Sequence, residues 1–191
     1  MKIRLVEELD SLGNELTKEQ ISYFLSSDMR TSDGSLIVFY NSGSRENREI
    51  YHCDRYPYFF SELEEYSKEY GDITYAVYLD ISNPFGKVDK NKYNFIMNEF
   101  VPYCNKNKIE VLGLEDLKIG NYVPFVLVDT LYPYLHQYGN YDGILAEEFG
   151  TETSYYKRFG QKGQISYIPF YSYQIKLITN KNPTTSKYIN R

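Results

Sequence analysis

The chain of 191 residues contains no Trp, only three Met, two His and two Cys. Cys53 and Cys104 make no disulfide framework, and with only His52 and His136 to help they make no four-ligand zinc site, so no metal is expected. Apolar runs are short as well. None approaches the roughly 18 to 20 residues that a bilayer span requires, so no membrane crossing is expected. The start, "MKIRLVEELDSLG", turns acidic from Glu7 and offers no apolar core of the signal-peptide kind, which predicts a cytoplasmic protein. An excess of basic charge is missing too. The formal net charge is −5 and the Lys and Arg residues are dispersed, which disfavours a phosphate-tracking surface and hence nucleic acid as the main ligand.

What is present is an ordinary globular composition, 42% hydrophobic and 25% charged, in a length that fits one domain. The unusual count is 22 Tyr. Tyr buries a large ring while keeping a polar tip, which suits half-buried strands and binding clefts. Biased codon usage produces the same excess, so the count carries little functional weight.

"LTKEQISYFLSS" at 16–27 predicts a short helix with Thr17 as N-cap and Ile21, Phe24 and Leu25 at helical spacing. Asp33-Gly34 is turn chemistry, and "LIVFY" after it reads as a strand running into Asn41-Ser42-Gly43. "EIYHC" at 49–53 reads as a second strand, and Pro57 opens a predicted helix that Gly71 stops. "ITYAVYLDISNPF" is the clearest strand, ended by the Asn83-Pro84 turn. Helices are predicted around 92–105 and 123–138, inside an insert-like region over about 87–139. "YDGILAEE" follows as a turn and strand, "TETSYYKRFGQKGQ" as a polar loop, "SYIPFYSYQIKLI" as a last strand, and 179–191 as a poorly ordered tail.

Five of these pieces, in this order, resemble the ADP-ribosyltransferase-like domains of large polyvalent proteins in phages and mobile elements. "LTKEQISYFLSSDMRTSDGSLIVFYNSG" follows a family pattern like "LTKEQ..YF..S..R...G.L.VVYHG". "IYHCDRYPYFFSELEEYSKEYG" and "AVYLDISNPF" stand where the family has a strand and helix and then a strand like "VYLNI.NPL"; "YDGI" and "YIPFYSYQIK" close the match. The resemblance covers most of the chain and implies one α+β domain over 1–178, a split β-sheet with flanking helices that binds NAD and transfers ADP-ribose to an acceptor.

Cleavage of the nicotinamide bond passes through an oxocarbenium-like state, which calls for a carboxylate that polarises the ribose hydroxyl. The related poly-ADP-ribose polymerases use a His that fixes the adenosine ribose, a Tyr that stacks on nicotinamide and a Glu that polarises. Carried over, that pattern becomes Asn41, Tyr51 and Ser166. The resemblance thus implies NAD held by Tyr40, Asn41, Ser42, Gly43 and Tyr51, with Tyr51, Gln164 and Ser166 at the reacting end and Glu148, or its neighbours Glu147 and Glu152, as a replacement carboxylate. Asn can still hydrogen-bond a ribose hydroxyl. Ser166 cannot supply a negative charge.

Other readings stay open at this point. Asn41 before Ser-Gly is also turn chemistry, Tyr51 is also a packing residue, and His52 should point away from whatever Tyr51 faces. Glu62, Glu64 and Glu65 read as a solvated helix face, Gln174 as support for the strand, and both Cys as buried thiols. Three functions follow: a mono-ADP-ribosyltransferase acting on a host or defence-system protein, a binding module of the same fold with its chemistry lost, or an anti-defence inhibitor acting by contact.

Overall fold

Thr17 caps the first helix, α1 (Lys18–Tyr23), through a reciprocal box in which the Thr17 side chain accepts from the Gln20 N–H and the Gln20 side chain accepts from the Thr17 N–H at 2.9 Å. The helix is shorter than predicted: Phe24 is its C-cap and is buried, while Leu25 lies exposed. The structure, a computed structural model, describes residues 8–43, 49–53, 55–148 and 164–190. The described residues are mixed α and β and form two small sheets, and the chain divides into two compact units.

The first unit comprises Met1–Tyr56, Glu62–Ser82 and Tyr171–Arg191. Its sheet has the order β1-β2-β7, antiparallel throughout, from β1 (Phe39–Gly43), β2 (Ile73–Leu79) and β7 (Ile175–Leu177). The run predicted as a strand from Leu36 joins the sheet only at Phe39, because Leu36 and Ile37 bond instead to Leu9, Ser11 and Met29. Phe24, Leu36, Val38 and Tyr78 form the core beneath one face. The helix expected from Pro57 forms only as α2 (Glu64–Ser67) and a 3₁₀ turn to Tyr70, with Glu62, Glu64 and Glu65 on its exposed side.

Gly71 ends that turn for a steric reason. A Cβ built there stands 2.5 Å from the backbone of Gly43, closer than real side chains approach. Gly71→Ala is therefore expected to destabilise the protein by about 1–3 kcal/mol, the usual range for forced overpacking, as measured by chemical denaturation.

Residues 49–53 form no strand ladder. Ile50 makes one isolated bridge, to Tyr188, and Glu49 accepts from the Ile189 N–H at 3.0 Å. Residues 179–190, expected as a loose tail, run beside β7: the Leu177 N–H donates to Ile189 O, and Ile189 is buried.

The second unit comprises Pro57–Ser61 and Asn83–Phe170. Its sheet centres on β5 (Gly143–Glu148), which pairs antiparallel with β6 (Gln164–Pro169) and parallel with the short β3 (Pro84–Phe85) and β4 (Val123–Pro124). The two predicted turns meet here: the Asp142 carboxylate accepts from the Asn83 N–H at 2.9 Å. Phe60 pairs with Tyr167 through two main-chain bonds, which holds 57–61 extended where a helix was predicted.

The region read as an insert supplies much of this unit's core. Helices α3 (Lys90–Phe95), α4 (Val101–Asn107) and α5 (Val128–Tyr138), with the turn between α3 and α4, pack Ile96, Phe100, Cys104, Leu131 and Leu135 against Ile144 and Ile168. A π-turn, Ile96–Phe100, joins α3 to α4 just before Pro102, where the missing N–H and the ring disfavour an ordinary α-helical turn. The last predicted strand is two: β6 in this sheet and β7 in the other, with a 3₁₀ turn at Ser172–Gln174 between. No described helix is long and apolar enough to cross a membrane.

Candidate functional site

Alternation along β1 sorts the expected nucleotide-binding residues onto two faces. Side chains point to opposite sides at successive positions, so Phe39, Asn41 and Gly43 share one face and Tyr40 and Ser42 the other. The register agrees: Asn41 stands opposite Tyr75, Ser42 opposite Thr74 and Tyr40 opposite Ala76.

On the first face, Asn41 and Tyr51 come together. The Tyr51 hydroxyl donates to Asn41 Oδ1 at 3.2 Å. Both are enclosed, with Tyr51 0% and Asn41 9% exposed. Asn41 lies inside the strand and not at its end, so its side chain serves the sheet face and not a turn. His52 is exposed while its neighbours Tyr51 and Cys53 are buried.

On the second face, Ser42 Oγ lies 2.7 Å from Thr74 Oγ1 and 3.1 Å from Ser67 Oγ, an internal hydroxyl chain joining β1, β2 and α2. Tyr40 packs at the edge of the Phe24 core, and burial, with Glu64 and Asp10 nearby, holds its phenol above the usual range. The side chains of Tyr40 and Ser42 therefore do not share a face with Asn41.

The remaining expected residues belong to the second unit. Ser166 sits on β6 opposite Ala146, 2% exposed, among the residues of the sheet face that carries Ile144 and Ile168. Gln164 is the register partner of Glu148, the last residue of β5, and its Nε2 donates to Ser61 Oγ at 2.7 Å. Glu147, one position earlier, falls on the opposite parity to Ser166. It is half-buried; desolvation holds its carboxyl above the usual range, opposed by the Tyr122 N–H and by Lys87. Lys87 Nζ in turn lies 5.5 Å from the centroid of the Tyr122 ring. Glu152 and most of the polar loop expected to meet an acceptor lie outside the described residues.

Gln174 does support strands, as expected: Nε2 donates to Asp80 O at 2.7 Å and Oε1 accepts from the Tyr171 N–H at 2.7 Å. A residue that sequence reading passed over is Lys176. It is wholly buried and donates to Ser186 O at 2.5 Å and Tyr188 O at 2.8 Å, with its Nζ 5.9 Å from the Tyr23 ring centroid. Its signal was the flanking pair Ile175 and Leu177, which marks a strand but not a buried cation. Cys53 and Cys104 are both buried, and burial pushes the Cys104 thiol up. Among the described residues, no group of three or more His, Cys, Asp or Glu is placed to hold a metal ion.

Compared with protein-family models, curated proteins and solved structures, the chain matches none of them.

Proposed function

We propose that this chain is an ADP-ribosyltransferase-fold protein of phage or mobile-element type that holds a nucleotide of the NAD class at the Asn41–Tyr51 pair without transferring ADP-ribose. The observation that carries the reading is the pair itself. The positions that correspond to the family's ribose-fixing His and nicotinamide-stacking Tyr stand ten residues apart in sequence, and their side chains meet at 3.2 Å. Loss of transfer follows from Ser166 at the position of the polarising Glu, since a hydroxyl brings no charge to an oxocarbenium-like state. Such a protein would act in the bacterial cytoplasm as a recognition module toward a host or defence-system protein.

A second reading, an active mono-ADP-ribosyltransferase, draws on Glu147, a half-buried carboxyl with raised proton affinity beside the strand that carries Ser166. Incubation of the purified protein with NAD labelled in the adenylate half, with and without bacterial lysate, separates the two. Saturable binding with no nicotinamide release and no labelled protein band is the expected result. A labelled band whose intensity falls about 10²-fold or more in Glu147→Gln would overturn it in favour of the transferase.

A further inference from the structure

The segment that carries Tyr51 is fastened to residues far away in sequence. Residues 49–53 are tied along their main chain to 188–189: Ile50 bridges Tyr188, and Ile189 N–H donates to Glu49 O. On its other side, the same C-terminal segment is fastened to β7, where Leu177 N–H donates to Ile189 O at 2.9 Å. Ile189 therefore stands between β7 and Glu49 and ties the main chain at 49–50 to that edge of the sheet.

Its fastenings are mostly polar. Gln20 Nε2 donates to Asn180 O at 2.9 Å, Thr17 Oγ1 to Lys181 O at 2.8 Å, and Lys176 Nζ to the carbonyls of Ser186 and Tyr188. Within 181–190, only Pro183 and Ile189 are buried. A segment with few apolar contacts and many hydrogen bonds belongs to the low-stability end of a fold and opens ahead of it.

We propose that residues 180–190 form a detachable latch that holds the 49–53 segment, and with it Tyr51, against the sheet, so that its release frees that segment and admits the ligand at Asn41. The ligand half of this inference rests on the reading given under Proposed function; the mechanical half does not. Cys53, buried in the latched segment, and Cys104, buried in the core of the second unit, are built-in reporters.

Pulsed labelling of the full chain with a thiol reagent, without denaturant, tests it. Cys53 is expected to label faster than Cys104. Ile189→Ala, which removes the buried anchor, is expected to speed Cys53 at least 30-fold and leave Cys104 unchanged, and the milder Ile189→Val roughly 3- to 10-fold. Parallel acceleration of both thiols, or of neither, overturns the latch. NAD binding by the same variants reads the second half. Tighter binding in step with faster Cys53 labelling supports the latch as a gate; unchanged affinity overturns the gate. If Cys53 responds as expected yet neither wild type nor variant binds NAD, the nucleotide reading fails and the latch stands.

Discussion

Tyr51→Ala is expected to lower the stability of the protein by about 3–5 kcal/mol, the range for deleting a fully buried aromatic side chain. For a chain of this length, that corresponds to a fall of roughly 10 °C in Tm, readable by differential scanning calorimetry. The reason is geometric. The ring is enclosed on every side, and its hydroxyl satisfies Asn41 Oδ1. Tyr51→Phe keeps the ring and removes one hydrogen bond, so it should cost only about 1 kcal/mol. The contrast matters for function. Loss of ligand binding in Tyr51→Ala reports unfolding as readily as recognition, whereas loss in Tyr51→Phe with an unchanged Tm reports the hydroxyl.

Lys176 should impose a pH dependence of opposite sign to that of an ordinary surface lysine pair. Burial lowers its ammonium from 10.5 to about 8. Below pH 8, both the native and unfolded chains hold the proton, and the native state bears the desolvation. Between about 8 and 10.5, the unfolded chain keeps a proton that the native chain has shed, so stability rises with pH. The full difference is about 3 kcal/mol, of which about 1.5 kcal/mol falls between pH 8 and 9.5.

The groups near Lys176 come from several elements. Tyr23 on α1 presents its ring; Tyr78 on β2, the register partner, donates its hydroxyl to Asp10; Asp80 acts on Tyr23; and Ser186 and Tyr188 present carbonyls. Burial raises the phenols of both Tyr23 and Tyr78, so they oppose the lysine only above pH 9.5 to 10, where unfolded tyrosines begin to ionise. Cys104 also opposes it, because its thiol is held up in the native state. The measurement is therefore a difference. Thermal unfolding of wild type minus that of Lys176→Met, from pH 7 to 9.5, should grow in favour of wild type by about 3–6 °C. A pH-independent difference would assign the burial of Lys176 no electrostatic consequence.

Short-range chemistry was readable from the residues. The Thr17–Gln20 box, the Asp33-Gly34 turn with Gly34 at φ 91° and the start of β5 after Tyr141-Asp142 all appear where the sequence places them. So does β2, whose run of β-branched and aromatic residues has no competing pattern. The misreadings share a cause. Pro57–Ser61 is extended because Phe60 pairs with Tyr167, more than a hundred positions away; Glu49–Cys53 is irregular because its partner is Tyr188; "SYIPFYSYQIKLI" divides because β6 finds β5 while β7 finds β2.

The candidate site follows the same division. The residue types at 41, 51 and 166, and the missing carboxylate among them, are properties of the sequence alone. That Asn41 and Tyr51 share a face while Tyr40 and Ser42 do not, that Tyr51 is enclosed, and that Lys176 is buried under the C-terminal segment were decided by tertiary structure. Caps and turns are satisfied by groups within about four residues, so sequence encodes them directly. A strand's face, its partners and what covers it are settled only when distant segments compete for the same hydrogen bonds and the same apolar surface.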